Sequence, residues 1–98
     1  MKQFNEMING DKPLFVDFYA SWCGPCRVMS PLVDKLERKF GDKMHFLKLD
    51  VDKYEQLALK YNVHTIPALM IFKKGDVVWR AVGIQTQSFL ENSIKSFI

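Results

Sequence analysis

The apolar positions of this chain switch between two periods, and the switches mark out its elements. Phe4, Met7 and Ile8 recur at helical spacing and Asn9-Gly10 supplies a stop, so a short first helix is expected, with Asp11-Lys12-Pro13 as the turn after it. Leu14 to Ala20 is an almost continuous apolar run, the mark of a strand buried on both faces, and Asp17 is its odd residue. Met29, Leu32, Val33, Leu36 and Phe40 form one stripe of a longer helix. Pro31 lies inside that helix, where a kink is expected, and Gly41 ends it. Met44 to Val51 reads as a second strand. Asp52, with Glu55 three residues on, reads as the N-cap of a third helix that turns Leu57, Ala58 and Tyr61 to the core. Ala68–Phe72 and Val77–Val82 are strands joined by a hairpin turn at Lys73-Lys74-Gly75-Asp76. Thr86 caps a last helix whose apolar side is Phe89, Leu90, Ile94 and Phe97.

This order predicts an α/β fold. Strands joined through helices pair in parallel with right-handed crossovers, while the final hairpin is antiparallel, so the sheet is mixed and helices cover both faces. Strand Leu14–Ala20 is expected at the centre, with Met44–Val51 parallel on one side and Ala68–Phe72 antiparallel on the other. Val77–Val82 forms one edge. Only Met1, Lys2 and Gln3 precede the first helical apolar residue, so four strands are expected, with Met44–Val51 at the other edge. A bare edge is a pairing hazard, and here Lys48 and Asp50 are its charged gatekeepers. Either the N-terminal residues fold back over it or it pairs with another molecule.

Length and charge narrow the picture. At 98 residues the chain is expected to be a single domain, 1–98, with enough core to fold without staples. The net charge of +3 is mild and the basic residues are scattered, which argues against nucleic-acid binding. No apolar run approaches membrane-spanning length, so no membrane partner is expected. Met1 to Pro13 carries no signal-type apolar segment, which points to the cytoplasm, where a cysteine pair is more often catalytic than structural.

Both cysteines lie in Trp22-Cys23-Gly24-Pro25-Cys26, between the first strand and the long helix. Cys23 therefore sits near a helix N-terminus, where unpaired N–H groups and the helix dipole lower a thiol's pKa. Pro25 suits the first helical turn, because its missing N–H has no intrahelical partner to lose. Three readings compete for the pair. As a structural staple it would close only a two-residue loop and stabilise little. As a zinc half-site it would need His45 and His64, which stand in no familiar ligand spacing, so no metal is expected. A reversible dithiol/disulfide fits a C-x-x-C in a βαβ pattern best.

The stretch Val16 to Cys26 resembles the active-site segment of the thioredoxin family. Further matches are Pro31, the string Lys48-Leu49-Asp50-Val51-Asp52, the Ile66-Pro67 dipeptide, Gly75 and Gly83. The likeness runs from about Phe4 to the end. It departs in lacking a first strand, in Tyr19 where tryptophan is common, and in Ala68 where threonine usually follows the proline.

The resemblance implies a thioredoxin-like fold and a protein-disulfide reductase. Electrons would come from NADPH through thioredoxin reductase, disulfide-containing proteins would be the targets, no cofactor would be bound, and the chain would act as a monomer. Cys23, as the more exposed and helix-terminal thiol, would be the nucleophile and Cys26 the resolving thiol, with Gly24 and Pro25 shaping the site. Asp17 would accept the Cys26 proton, with Lys48 as its cationic partner. Pro67 would follow a cis bond that turns the Ile66 backbone toward the sulfurs. Trp22, Pro25, Ile66, Val82, Gly83 and Ile84 would form an apolar docking patch. Two other readings stay open. One is an oxidase or isomerase of the same fold, against which Gly24-Pro25 argues. The other is a docking module in which redox is incidental.

Overall fold

The computed structural model describes residues 2–98; Met1, the first of the three residues ahead of Phe4, lies outside them. The elements are α1 (Lys2–Ile8), β1 (Leu14–Tyr19), α2 (Gly24–Phe40), β2 (His45–Asp50), α3 (Glu55–Lys60), β3 (Ala68–Lys73), β4 (Asp76–Val82) and α4 (Gln87–Lys95). The described strands form a four-stranded sheet in the order β2-β1-β3-β4. β1 pairs in parallel with β2, Asp17 opposite Lys48, and antiparallel with β3, Asp17 opposite Leu69. This is the mixed sheet and strand order that the apolar pattern predicts.

The two interior strands are buried along nearly their whole length, whereas β4 alternates between exposed and half-buried positions. Alternation along β1 divides the core. Phe15 faces Met29, Val33 and Leu36 of α2 and Leu90 and Ile94 of α4. Leu14, Val16 and Phe18 face the opposite cluster, which holds Phe4. Side chains alternate across a strand, so Asp17 shares the α2 side with Phe15.

α1 hangs on Phe4, which is fully buried and meets Phe72 and Tyr61 edge-on at 5.4 and 5.8 Å between ring centroids. Truncating such a ring costs about 3–5 kcal/mol. Gly75 N–H donates to the Ile8 carbonyl, which ties α1 to the β3–β4 turn. The helix therefore goes to the hairpin, and the expected fold-back over β2 is not what these contacts show. Lys74 and Gly75 are the two turn residues, with φ of 52° and 89°. Two left-handed residues match the twist of the flanking strands, and Gly75 takes that conformation without strain.

Two local expectations need correction. α3 starts at Glu55 with Tyr54 as its N-cap, not Asp52. The Asp50 carboxylate accepts the Asp52 N–H at 2.8 Å and the Asp50 carbonyl accepts from Lys53 and Tyr54, so a turn occupies the predicted first residues. Gly41 ends α2 as expected, with φ of −62°; a Cβ there would lie 2.6 Å from the Glu37 carbonyl oxygen, so close approach explains the glycine. Phe89 is 46% exposed and leans on Trp79 instead of entering the core. By contrast Thr86 caps α4, its hydroxyl accepting the Phe89 N–H at 3.2 Å.

Candidate active site

Cys23 and Cys26 form a disulfide with Cα atoms 5.3 Å apart. Cys23 is the N-cap of α2, and its sulfur accepts the Cys26 N–H at 3.2 Å. The sulfur thus holds the place a serine or aspartate oxygen takes at other helix starts, facing an otherwise unpaired donor. Pro25 lies in the first turn, where it removes no helical bond. α2 runs on through Pro31, which is exposed.

Exposure does not separate the thiols as expected. The two cysteines are 4% and 5% exposed, because Ala20, Tyr19, Val51 and Ile66 pack around the pair. Their surroundings separate them instead. Cys23 Sγ lies 3.9 Å from the Ile66 carbonyl oxygen, on the segment whose Ile66–Pro67 bond is cis. Cys26 borders a cleft of about 420 Å³ lined also by Asp17, Tyr19, Ala20, Ser21, Arg27, Ser30 and Lys48.

Asp17 is 2% exposed and its Oδ1 has no hydrogen-bond partner among the described residues. Burial pushes its carboxyl up to about 6, against a smaller downward pull from Lys48 and with a further upward push from Asp34. Lys48 stands opposite Asp17 on the neighbouring strand, but its ammonium makes its hydrogen bonds elsewhere, to Asp34 Oδ1 at 2.7 Å and Ser30 Oγ at 2.8 Å. Its partnership with Asp17 is through space, and its ion pair is with Asp34. Sequence reasoning missed Ser30 and Asp34. The available signal was spacing: Cys26, Ser30 and Asp34 recur every four residues, one stripe of α2.

Of the expected docking patch, Ile66 packs against the cysteine pair. Trp22 is 68% exposed, Ile84 56% and Val82 49%, while Ile66 and Gly83 are half-buried. The Gly83 N–H donates to the Pro67 carbonyl at 2.9 Å, which joins the Ile66-Pro67 and Val82–Ile84 segments. The Trp22 indole donates to Asp52 Oδ2 at 2.9 Å, a contact the sequence did not suggest. His45 opens β2 and His64 lies exposed in a loop. Among the described residues no group of three or more His, Cys, Asp and Glu is placed to hold a metal, and no helix is long and apolar enough to cross a membrane.

A family model described as Thioredoxin matches residues 1–96. The chain belongs to the thioredoxin family. It is 40% identical over 93 residues to a thioredoxin of Porphyra purpurea, covering 95% of this chain and 87% of that protein. It is 38% identical over 94 residues to the mitochondrial thioredoxin of Bos taurus, covering 96% of this chain and 57% of that one. Among solved structures, a mutant thioredoxin from Halobacterium salinarum superposes with a TM-score of 0.91 at 32% identity, over 99% of this chain and 84% of that one. The fold is thioredoxin-like, with four strands and four helices among the described residues. The chain is a thiol–disulfide oxidoreductase, a disulfide reductase that works by dithiol/disulfide exchange at its cysteine pair. The relatives include a mitochondrial and a chloroplastic thioredoxin by name.

Proposed function

We propose that Cys23 attacks and Cys26 resolves, with residues 1–98 acting as one unit. The Cys23 thiolate, stabilised at the α2 N-terminus, attacks one sulfur of a target disulfide and the other leaves as a thiolate. A mixed disulfide joins Cys23 to the target. Cys26 gives its proton to the Asp17 carboxylate and its sulfur attacks Cys23, so the target leaves reduced and the Cys23–Cys26 bond forms. Two electrons pass to the target. Gly24 and Pro25 form the turn that brings the two sulfurs together, and that closeness makes resolution intramolecular. Lys48 tempers the Asp17 charge from across the strand pair.

The observation that carries this reading is the pairing of an N-cap sulfur with an unpartnered buried carboxyl on the cleft that the second sulfur borders. Target peptides would lie across Ile66, whose backbone Pro67 presents, and against Trp22, Val82, Gly83 and Ile84. Disulfide-containing proteins are the substrates, and a thioredoxin reductase drawing on NADPH regenerates the dithiol in the cytoplasm, which makes the cycle an electron-transport step. The test is trapping. Cys26→Ser should accumulate a stable mixed disulfide with targets, and Cys23→Ser should accumulate none. Faster alkylation of Cys26 than of Cys23 in the reduced protein would reverse the assignment.

A further inference from the structure

The Lys48 ammonium has three donors, and two of them are fixed on α2, by Ser30 Oγ and Asp34 Oδ1. Both acceptors stand on the stripe that begins with Cys26, four and eight residues along. Asp17, directly opposite Lys48 in the strand register, receives no hydrogen bond at Oδ1. The cation that could neutralise the buried acid is therefore held by a second acid, on α2. Asp34 and Lys48 are both partly exposed, with side chains 47% and 33% accessible, so solvent screens their pair. Asp17 is not screened in that way.

We infer that Asp34 is a positioning residue for the resolving step: with Ser30 it holds the Lys48 ammonium off Asp17, so that Asp17 stays a proton acceptor instead of a permanently paired carboxylate. The inference rests on the Asp17 assignment proposed above. A carboxylate bonded directly to an ammonium loses much of its affinity for a proton, and an acid poised near neutral pH is the better base for a thiol. Other groups facing Asp17 do not replace this control. α2 offers Arg27, whose guanidinium is bonded to the Ser21 carbonyl at 3.0 Å, and the Cys26 sulfur. Tyr19 brings a phenol to the cleft, β3 opposes Asp17 with Leu69, and α4 turns Leu90 and Ile94 to this side of the sheet.

The experiment follows the Asp17 carboxyl by NMR titration in the oxidised protein, where neither cysteine titrates, in wild type, Asp34→Asn, Lys48→Met and the double variant. Asp34→Asn should lower the Asp17 midpoint by about one pH unit, as Lys48 turns to Asp17. In the Lys48→Met background the same change should shift it less than half as far. A midpoint that stays or rises, or an equal shift without Lys48, overturns the inference. The pH profile of target reduction supplies the second readout, and its acid limb should move down with the titration. If Asp17→Asn leaves that limb in place, the Asp17 assignment fails. If Asp17→Asn removes the limb but Asp34→Asn does not move it, only the role of Asp34 fails.

Discussion

Cys26 borders a recessed polar cleft holding an acid, two cations and two serines, while Cys23 lies against the Ile66 carbonyl, beside a rim where Trp22, Val82 and Ile84 stand about half or more exposed. One turn of helix separates these surroundings. The cleft side has what a proton transfer needs, a carboxyl poised by burial. The rim side has what a peptide needs, apolar surface and a backbone carbonyl beside the sulfur. Changes on the cleft side should therefore alter chemistry toward every disulfide, and changes on the rim should alter recognition of large ones alone.

The strongest test of that division is Asp17→Asn. Reduction of protein and small disulfides alike should slow by about a hundredfold, the low end for a positioned proton acceptor. Stability should move the other way. The folded carboxyl titrates near 6 against an ordinary 3.8, so ionisation destabilises the fold as pH rises through that window, and the penalty is complete only above it. The stability difference in favour of Asp17→Asn should thus grow by about 3 kcal/mol between pH 3 and pH 7 in denaturant melts. A difference that is flat with pH would show that the acid is not buried as a charge.

The rim counterpart is Ile84→Asp. It should lower kcat/KM for a protein disulfide by about tenfold while leaving a small disulfide within about twofold. Equal losses on both substrates would merge the two sides into one. Smallest of all is Gly83→Ala. Gly83 sits at φ 85° with nothing within 4 Å of an added Cβ, so the methyl meets no neighbour but the backbone is strained. A loss of about 1–2 kcal/mol in unfolding free energy is expected, with kcat/KM for a protein disulfide lowered by only about twofold and that for a small disulfide unchanged. A large kcat/KM change would mean that this glycine makes room for the target.

Much of this was legible in advance because it is encoded in adjacent residues. The apolar run Leu14–Ala20 reads as an interior strand, which the fold forms over Leu14–Tyr19, and the odd charge within it singles out Asp17. The Lys74-Gly75 turn and the Thr86 cap are likewise local chemistry. The misread start of α3 fell where two local signals competed. Asp52 reads as a helix cap, yet Asp50 captures its N–H and Trp22 its carboxylate, and no pattern says which neighbour wins.

The order of elements, the sheet and the redox pair were determined by sequence, because hydrophobic period and a C-x-x-C at a strand–helix junction act over a few residues. Tertiary structure alone decided that both sulfurs are buried, that Phe89 is half-exposed, and that the Lys48 ammonium bonds Asp34 while reaching Asp17 only through space. The physical reason lies in reach. A long ammonium side chain can satisfy either acid, and the choice turns on a few ångströms between α2 and β2 that only the packed core sets.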